Sequence, residues 1–388
     1  MLALTWLAVT TVNAQAPDPP LFPIYDVRGM EGFIDIDGRV VIAPQFDKVT
    51  RFSEGRAAVR VGTKWGYIDR AGRIVIAPQF TEAAPFSEGL AAVTESSRRY
   101  LDNENESTVY RCGYIDREGR FVIPADWHGK CGNFSEGLAE LGQDGSAPDV
   151  KSIDVIGYID HQGKWMIQPQ FNRTNPFREG FALVYHGLDR GLIDRTGRLA
   201  IFSKQFEVRD TFSEGLAPAV LGLHLGPDGR VASTGWGFLD KSGQEVFSLK
   251  ATDLGGFSEG LAMVEFRGLN GHYALYGYVD RTGKMVIAPR FDSASSFVEG
   301  LAATSEGYID HQGKVVLKTR GNSFSGGLAW VGIHNRTIGE TPTFRNLSGY
   351  LNKTGKFVWV SPDTEKYMGT AWMRQNFTPP PSSPSPHR

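Results

Sequence analysis

The tetrapeptide Gly66-Tyr67-Ile68-Asp69 returns along the chain, with substitutions, at Gly32, Gly113, Gly157, Gly191, Gly237, Gly277, Gly307 and Gly349, which makes nine copies. Six residues beyond each of these glycines stands another: Gly38, Gly72, Gly119, Gly163, Gly197, Gly243, Gly283, Gly313 and Gly355. A second motif, Phe86-Ser87-Glu88-Gly89-Leu90-Ala91, recurs with its aromatic at Phe52, Phe134, Phe177, Phe212, Phe257, Phe297 and Phe324. From glycine to the following Phe the step is 20 or 21 residues seven times and 17 once, whereas the return step ranges from 10 to 27. Spacing that is nearly rigid in one half and elastic in the other marks a tandem array of units of about 40 residues, each too small to bury its own apolar face. A chain of 388 residues would otherwise suggest two or three domains. Of its 46 glycines, 26 fall in the three repeated glycine slots, so the glycine excess is repeated turns and neither collagen nor low-complexity sequence.

The local chemistry of a unit is that of hairpins. Leu90 to Val93 reads as a short strand, Gly113 to Asp116 as a second, and Arg73 to Ala77 as a third, β-branched one stopped by Pro78. In Asp69-Arg70-Ala71-Gly72 the Asp starts a type I turn and the Gly closes it, with the carboxylate placed to accept an N–H two residues on. Asn352 in the last copy can make the same bond. The chain is therefore expected to be all-β. It reads as about nine three-stranded antiparallel meanders, closed into a propeller-like ring or toroid, with an open solenoid or superhelix as the alternative. Ile24 to Val27 serves as the opening strand of the first unit.

These residues resemble the WG-repeat family, also called KWG repeats, over about 24–360. The shared pattern is W-G-Y-I-D-x-x-G-x-x-V-I-x-P-x-F followed by F-S-E-G-L-A. Trp65-Gly66 and Trp236-Gly237 keep the Trp-Gly pair, while Glu31, Cys112, Ile156, Arg190, Tyr276, Glu306 and Ser348 stand in the other Trp positions. The resemblance implies a β-rich interaction module, common in bacterial proteins, and no enzyme. A looser likeness, aromatic-G-Y-I-D-x-x-G, links it to cell-wall-binding hairpin repeats that hold choline or glycans on aromatic side chains.

The recurring Glu54, Glu88, Glu136, Glu179, Glu214, Glu259 and Glu299 are each expected to accept backbone N–H groups within their own unit, with Gly326 in the eighth copy. The alternative is a cation-binding channel. Asp69, Gly72, Glu88 and Gly89 are thus structural residues of the repeat. Exchange of Tyr with Phe33, Phe238 and Leu192 in the GYID slot points to packing and not to the hydroxyl. His161 and His311 read as exposed turn residues. Aromatics outside the repeated slots are the ligand-contact candidates: Trp65, Trp236, Tyr100, Tyr110, Tyr273, Trp330 and Phe344. No HExxH, CxxC, GxSxG, P-loop or GxGxxG sequence occurs, so no catalytic residue, metal or cofactor is expected. Cys112 and Cys131, the two cysteines, are placed for a disulfide within one unit.

Formal net charge is −2 without a clustered Lys/Arg run, which argues against nucleic acid as a partner. Residues 1–14 read as a signal peptide ending at Val12-Asn13-Ala14, although no Lys or Arg precedes Arg28. Residues 15–23 follow as a Pro-rich spacer, 24–360 as a single repeat domain, and 361–388 as an extension disordered from about 378. No second apolar stretch approaches the length of a membrane span. Insertions concentrate in one connection, at 94–111, 142–155, 221–235 and 332–348, and so should gather on one rim. The expectation is a secreted or periplasmic scaffold that binds a protein partner through that rim. A cell-wall or carbohydrate binder is the alternative.

Overall fold

A computed structural model describes residues 18–100, 106–127, 129, 131–143, 155–187, 189–225, 231–267, 273–332 and 348–377. The leader expected at 1–14 and the tail beyond 377 lie outside them.

Nine antiparallel sheets stand in a ring, one per repeat, as the blades of a β-propeller. Blade 1 comprises Phe22–Tyr25, Glu31–Ile34 and Val40–Phe46. Blade 2 comprises Lys48–Val49, Ala57–Val61, Lys64–Ile68 and Ile74–Phe80. Blades 3 to 8 follow in sequence order, and blade 9 is built from Leu328–Gly332, Ser348–Asn352 and Phe357–Val360. Blades 2 to 7 carry a fourth strand that the sequence pattern did not announce, lying just before the FSEG turn and as short as two residues.

Two further differences have local causes. The outer strand does not stop at Pro78 but runs on to Phe80 through a bulge, its pairing shifting between Trp65–Phe80 and Tyr67–Ile76. Proline is tolerated there because the strand is a sheet edge, where its missing N–H is not needed. The bulge brings that strand over Gly66, so a Cβ at Gly66 would lie 2.4 Å from the Ile76 carbonyl oxygen. The glycine of the GYID slot is thus required by backbone approach. The stretch expected as a spacer also contributes to the core: Leu21 and Phe22 are buried, and the first strand begins at Phe22, two residues earlier than expected.

The core is divided among the joints. Nine hydrophobic clusters each span a pair of neighbouring blades, such as Tyr67 and Ile76 of blade 2 with Phe86 and Val93 of blade 3. The ninth cluster joins Leu328, Tyr350 and Val358 of blade 9 to Phe22, Ile24 and Ile34 of blade 1. The array is therefore a closed ring, and the open superhelix is set aside. Tyr25 packs edge-on against Trp359 across this joint, and its hydroxyl lies 3.3 Å from Ser348 Oγ. Among the described residues each blade comes from contiguous chain, and none is assembled from both ends.

Residues 362–376 of the expected extension form an α-helix, Pro362–Asn376. Its start was readable: Ser361 caps Thr364 N–H, Pro362 opens the first turn, and Asp363 and Glu365 favour the positive end of the helix dipole. Met373 and Phe377 seat it against the cluster between blades 8 and 9.

Candidate functional site

The strand register sorts the repeat motifs between the two faces of the ring. In blade 2, Ala57 pairs with Ile68 and Val61 with Lys64, so the FSEG turn before Ala57 and the hairpin turn after Ile68 lie at one end. The elastic connection lies at the other. The same register holds in blades 3, 4, 6, 7 and 9, where the long connections begin beyond Thr94–Cys112, Gln143–Val155, Leu221–Gly235, Arg267–Ala274 and Gly332–Ser348. One face therefore carries all the repeated turns and the other the variable connections. In blade 3 the connection is an extension of the sheet, with strands Ala91–Tyr100 and Glu106–Ile115 ten residues long. In blade 6 it adds a small hairpin, His224–Leu225 with Val231–Ala232. Of the connections expected at 142–155 and 332–348, residues 144–154 and 333–347 lie outside the described residues.

On the turn face, Ser87-Glu88-Gly89-Leu90 is a two-residue hairpin closed by reciprocal Ser87–Leu90 bonds, with Glu88 at φ 54° and Gly89 at φ 86°. Positive φ at both central positions is the signature of a type I′ turn. All seven glutamates adopt this left-handed conformation, between 51° and 55°, which an L-residue enters at a cost. The compensation comes from the next blade, not from the glutamate's own unit as expected. Glu54 accepts Gly89 N–H at 3.0 Å, Glu88 accepts Gly137 N–H at 2.9 Å, and the series continues to Glu299 with Gly327 N–H at 3.0 Å.

A basic side chain completes the latch in all but one of these joints. It stands four residues after the GYID glycine of that same next blade: Arg117 with Glu54 at 2.7 Å, His161 with Glu88 at 3.3 Å, Lys241 with Glu179 at 3.1 Å, Arg281 with Glu214 at 3.5 Å, His311 with Glu259 at 3.3 Å and Lys353 with Glu299 at 3.1 Å. In blade 5 Arg195 bonds the Glu136 carbonyl instead. His161 and His311 are thus half-buried latch residues, not free turn residues. Each stacks on its own blade's Phe, Phe134 or Phe297, with centroids 4.3 Å apart. Burial works to raise the Glu54 pKa, but bonds from Arg117 and from the Gly89 and Glu88 N–H groups outweigh it and hold the carboxyl below its usual range. At Glu179 the bonds from Lys241 and Gly215 N–H prevail over burial in the same way. Within each hairpin turn the Asp acts locally: Asp69 accepts Ala71 and Arg73 N–H at 2.9 and 3.0 Å.

The GYID tyrosines do use their hydroxyls, contrary to the packing-only reading. Tyr67, Tyr114, Tyr158, Tyr278 and Tyr308 each donate to a backbone carbonyl of the next blade at 2.7–2.8 Å. A buried hydroxyl has to find a partner, and Phe or Leu can fill the slot only by forgoing the bond. Burial pushes the Tyr308 phenol up to about 12. Cys112 and Cys131 are joined in a disulfide, with Cα atoms 6.1 Å apart. It links two blades and not one unit: Cys112 lies in the third strand of blade 3, and Cys131 begins the first strand of blade 4.

The aromatic ligand candidates are scattered around the ring. Trp65 packs under Arg60 in blade 2 and Trp236 under Arg209 in blade 6, at 6.0 and 5.4 Å. Trp330 stacks on Trp359 in blade 9 at 5.9 Å. All three are partly buried. Tyr110 and Tyr273 stand beside elastic connections and are 58% and 79% exposed, which makes them available to a partner. Tyr100 ends a strand of blade 3, and Phe344 lies outside the described residues. Among the described residues no group of three or more His, Cys, Asp or Glu is placed to hold a metal ion, and no helix is long and apolar enough to cross a membrane.

The model of a WG containing repeat matches seven segments, 32–65, 65–96, 113–145, 156–187, 236–269, 276–306 and 307–336, more than half of the chain. No curated protein matches. Among solved structures, the chain is similar to a eukaryotic initiation factor, at 9% identity and TM-score 0.41, with 88% of this chain and 96% of that one covered. It is also similar to apo AztD from Citrobacter koseri, at 12% identity and TM-score 0.33, with 87% and 92% covered. Likenesses at this level carry no argument about activity.

Proposed function

Because the chain belongs to the WG-repeat family, we propose that it is a non-enzymatic binding scaffold that holds a protein partner on the face bearing the elastic connections. The observation that supports this is the division of labour between the faces. Recurring glutamates and tyrosines are consumed in joining blades, while the opposite face presents connections that vary widely in length and sequence from blade to blade. Such variation on a rigid frame suits a single large partner better than a small ligand repeated nine times. The apolar start at residues 1–12 and the Cys112–Cys131 disulfide support a periplasmic or secreted setting.

A second reading, cell-wall glycan binding, is favoured only by the exposed Tyr110 and Tyr273. One variant separates the two. Replacing 97–109 by Asn-Gly keeps the Ser96–Tyr110 pair as the base of a tight hairpin. The scaffold reading expects wild type to capture an envelope protein and the shortened variant to lose it. The glycan reading expects both to sediment with peptidoglycan. If wild type does neither, both readings fail.

A further inference from the structure

Nine blade joints invite a comparison that the repeat itself makes possible. Each of the seven joints from blade 2 to blade 9 places a glutamate of one blade against a Gly N–H of the next. At the joint from blade 9 to blade 1 both charged partners are missing together. Gly326 replaces the glutamate, and Ile36 replaces the cation and approaches Gly327, where an added Cβ would lie 2.7 Å from Ile36 Cδ1. At the latch position that joint is closed by apolar contact.

The joint from blade 1 to blade 2 is different, because only half of the latch is lost. Blade 1 has no FSEG turn; the chain enters it through Asp18, Pro19 and Pro20. Blade 2 keeps its half: Arg70 is the cation four residues after Gly66, and Gly55 N–H has no acceptor among the described residues. Arg70 bonds the Pro19 carbonyl, and its closest carboxylate, Asp18, is 3.8 Å away and 57% exposed. The seventeen residues before Asp18 contain no Asp or Glu that could complete the latch. A cavity of about 500 Å³ opens at this place, lined by Asp18, Arg51, Gly55, Arg70, Arg117 and Ser325 among others. Arg117 is already paired with Glu54, whereas Arg51 reaches across to Ser325 Oγ at 2.9 Å and is exposed.

We propose that this notch is a carboxylate-binding site, in which Gly55 N–H and the Arg70 guanidinium receive a carboxylate from a ligand as their counterparts in blades 3, 4 and 6 to 9 receive one from the chain. Arg51 supplies a second guanidinium at the mouth. The shared chemistry is the carboxylate, from an acidic side chain or from a peptide C-terminus. A guanidinium and a backbone N–H converging on one carboxylate are charge-assisted bonds, stronger than neutral ones. The notch lies on the turn face, so this site is independent of the partner surface proposed above.

The test is a calorimetric titration of the full chain with three peptides: acetyl-Phe-Ser-Glu-Gly-amide, its Glu→Gln version, and acetyl-Gly-Ser-Gly with a free C-terminal carboxylate. Saturable binding of the first or the third, with none of the Gln peptide, is expected, and the binder of the two identifies the source. Arg70→Gln should weaken binding at least about ten-fold while the variant melts with wild type. Asp18→Ala, which removes the competing carboxylate and leaves Arg70 in place, should tighten binding and provides an independent reading should Arg70→Gln misfold. Binding of the Gln peptide as tight as that of the Glu peptide, displacement by inorganic sulfate at equal concentration, indifference to both substitutions, or no binding at all overturns the proposal.

Discussion

On the turn face of the ring, blades 2 to 9 meet through the same few groups: a left-handed glutamate, a glycine N–H and a basic side chain, which in five joints lies over the Phe of its own blade. On the opposite face, connections that begin from equivalent strand pairs vary in length and share no sequence motif. The difference teaches where the fold is specified. Joints that must be identical to close a circle admit little variation, and connections that touch no neighbouring joint are released from that demand. Substitutions on the two faces should therefore differ in kind.

The largest effect is expected where a bulged strand crosses bare backbone. Gly66→Ala should cost about 3 kcal/mol, because the new methyl meets backbone atoms that cannot yield. Denaturant unfolding measures it, and a loss below about 0.5 kcal/mol would show that the outer strand moves freely. Next comes the latch. Glu88→Ala should cost about 1 kcal/mol, since it removes a half-exposed bond to Gly137 N–H and keeps the left-handed backbone. Glu88→Gly loses the same bond but relieves the backbone, so it should be the milder change. The reverse order would refute the account of the turn.

Tyr158→Phe should cost about 1 kcal/mol through the lost bond to the Asn175 carbonyl, which a thermal melt resolves. The carboxyls of Glu54 and Glu179 titrate below their ordinary 4.5 in the folded chain, so the folded state holds its protons less tightly than the unfolded one. Their contribution is fully present above that ordinary value and is lost as pH falls through the folded values. The melting temperature should hold down to about pH 5 and decline below it, and less steeply in a Glu54→Gln, Glu179→Gln double variant. Smallest of all, replacing 97–109 by Asn-Gly should change stability by no more than about 0.5 kcal/mol. A larger loss would mean that the loop face also holds the ring together.

Much of this was legible because residues needed at every joint recur. The nine GYID glycines, the Asp turns and the FSEG slots fix the strand order and the number of blades. What recurrence does not reveal is the partner. A period of about 40 residues says that Glu88 and Tyr158 are needed once per unit, and it is silent on whether they reach inward or across. For that reason the sequence alone keeps the glutamates within their own units, gives the tyrosine hydroxyls no role and leaves Cys131 in the blade of Cys112. The basic residue four positions after the GYID glycine stands in the sequence as Arg70, Arg117, His161, Arg195, Lys241, Arg281, His311 and Lys353, but its variation between Arg, Lys and His hides it. The first strand begins at Phe22 and not at Ile24, a start that LFPIY does not mark because it lacks the alanines of the LAAV slot.

The closure without a shared strand has a kinetic consequence. Eight joints form between stretches adjacent in sequence, so assembly can begin at any pair of blades and spread in either direction. Only the ninth joint brings together residues as distant as Tyr25 and Ser348, 323 positions apart. By then the intervening blades are already stacked into an arc, and its ends meet with little chain left to order. The same geometry makes this joint the natural place for the ring to be cut and rejoined: a circularly permuted chain with new ends in any elastic connection would keep all nine blades.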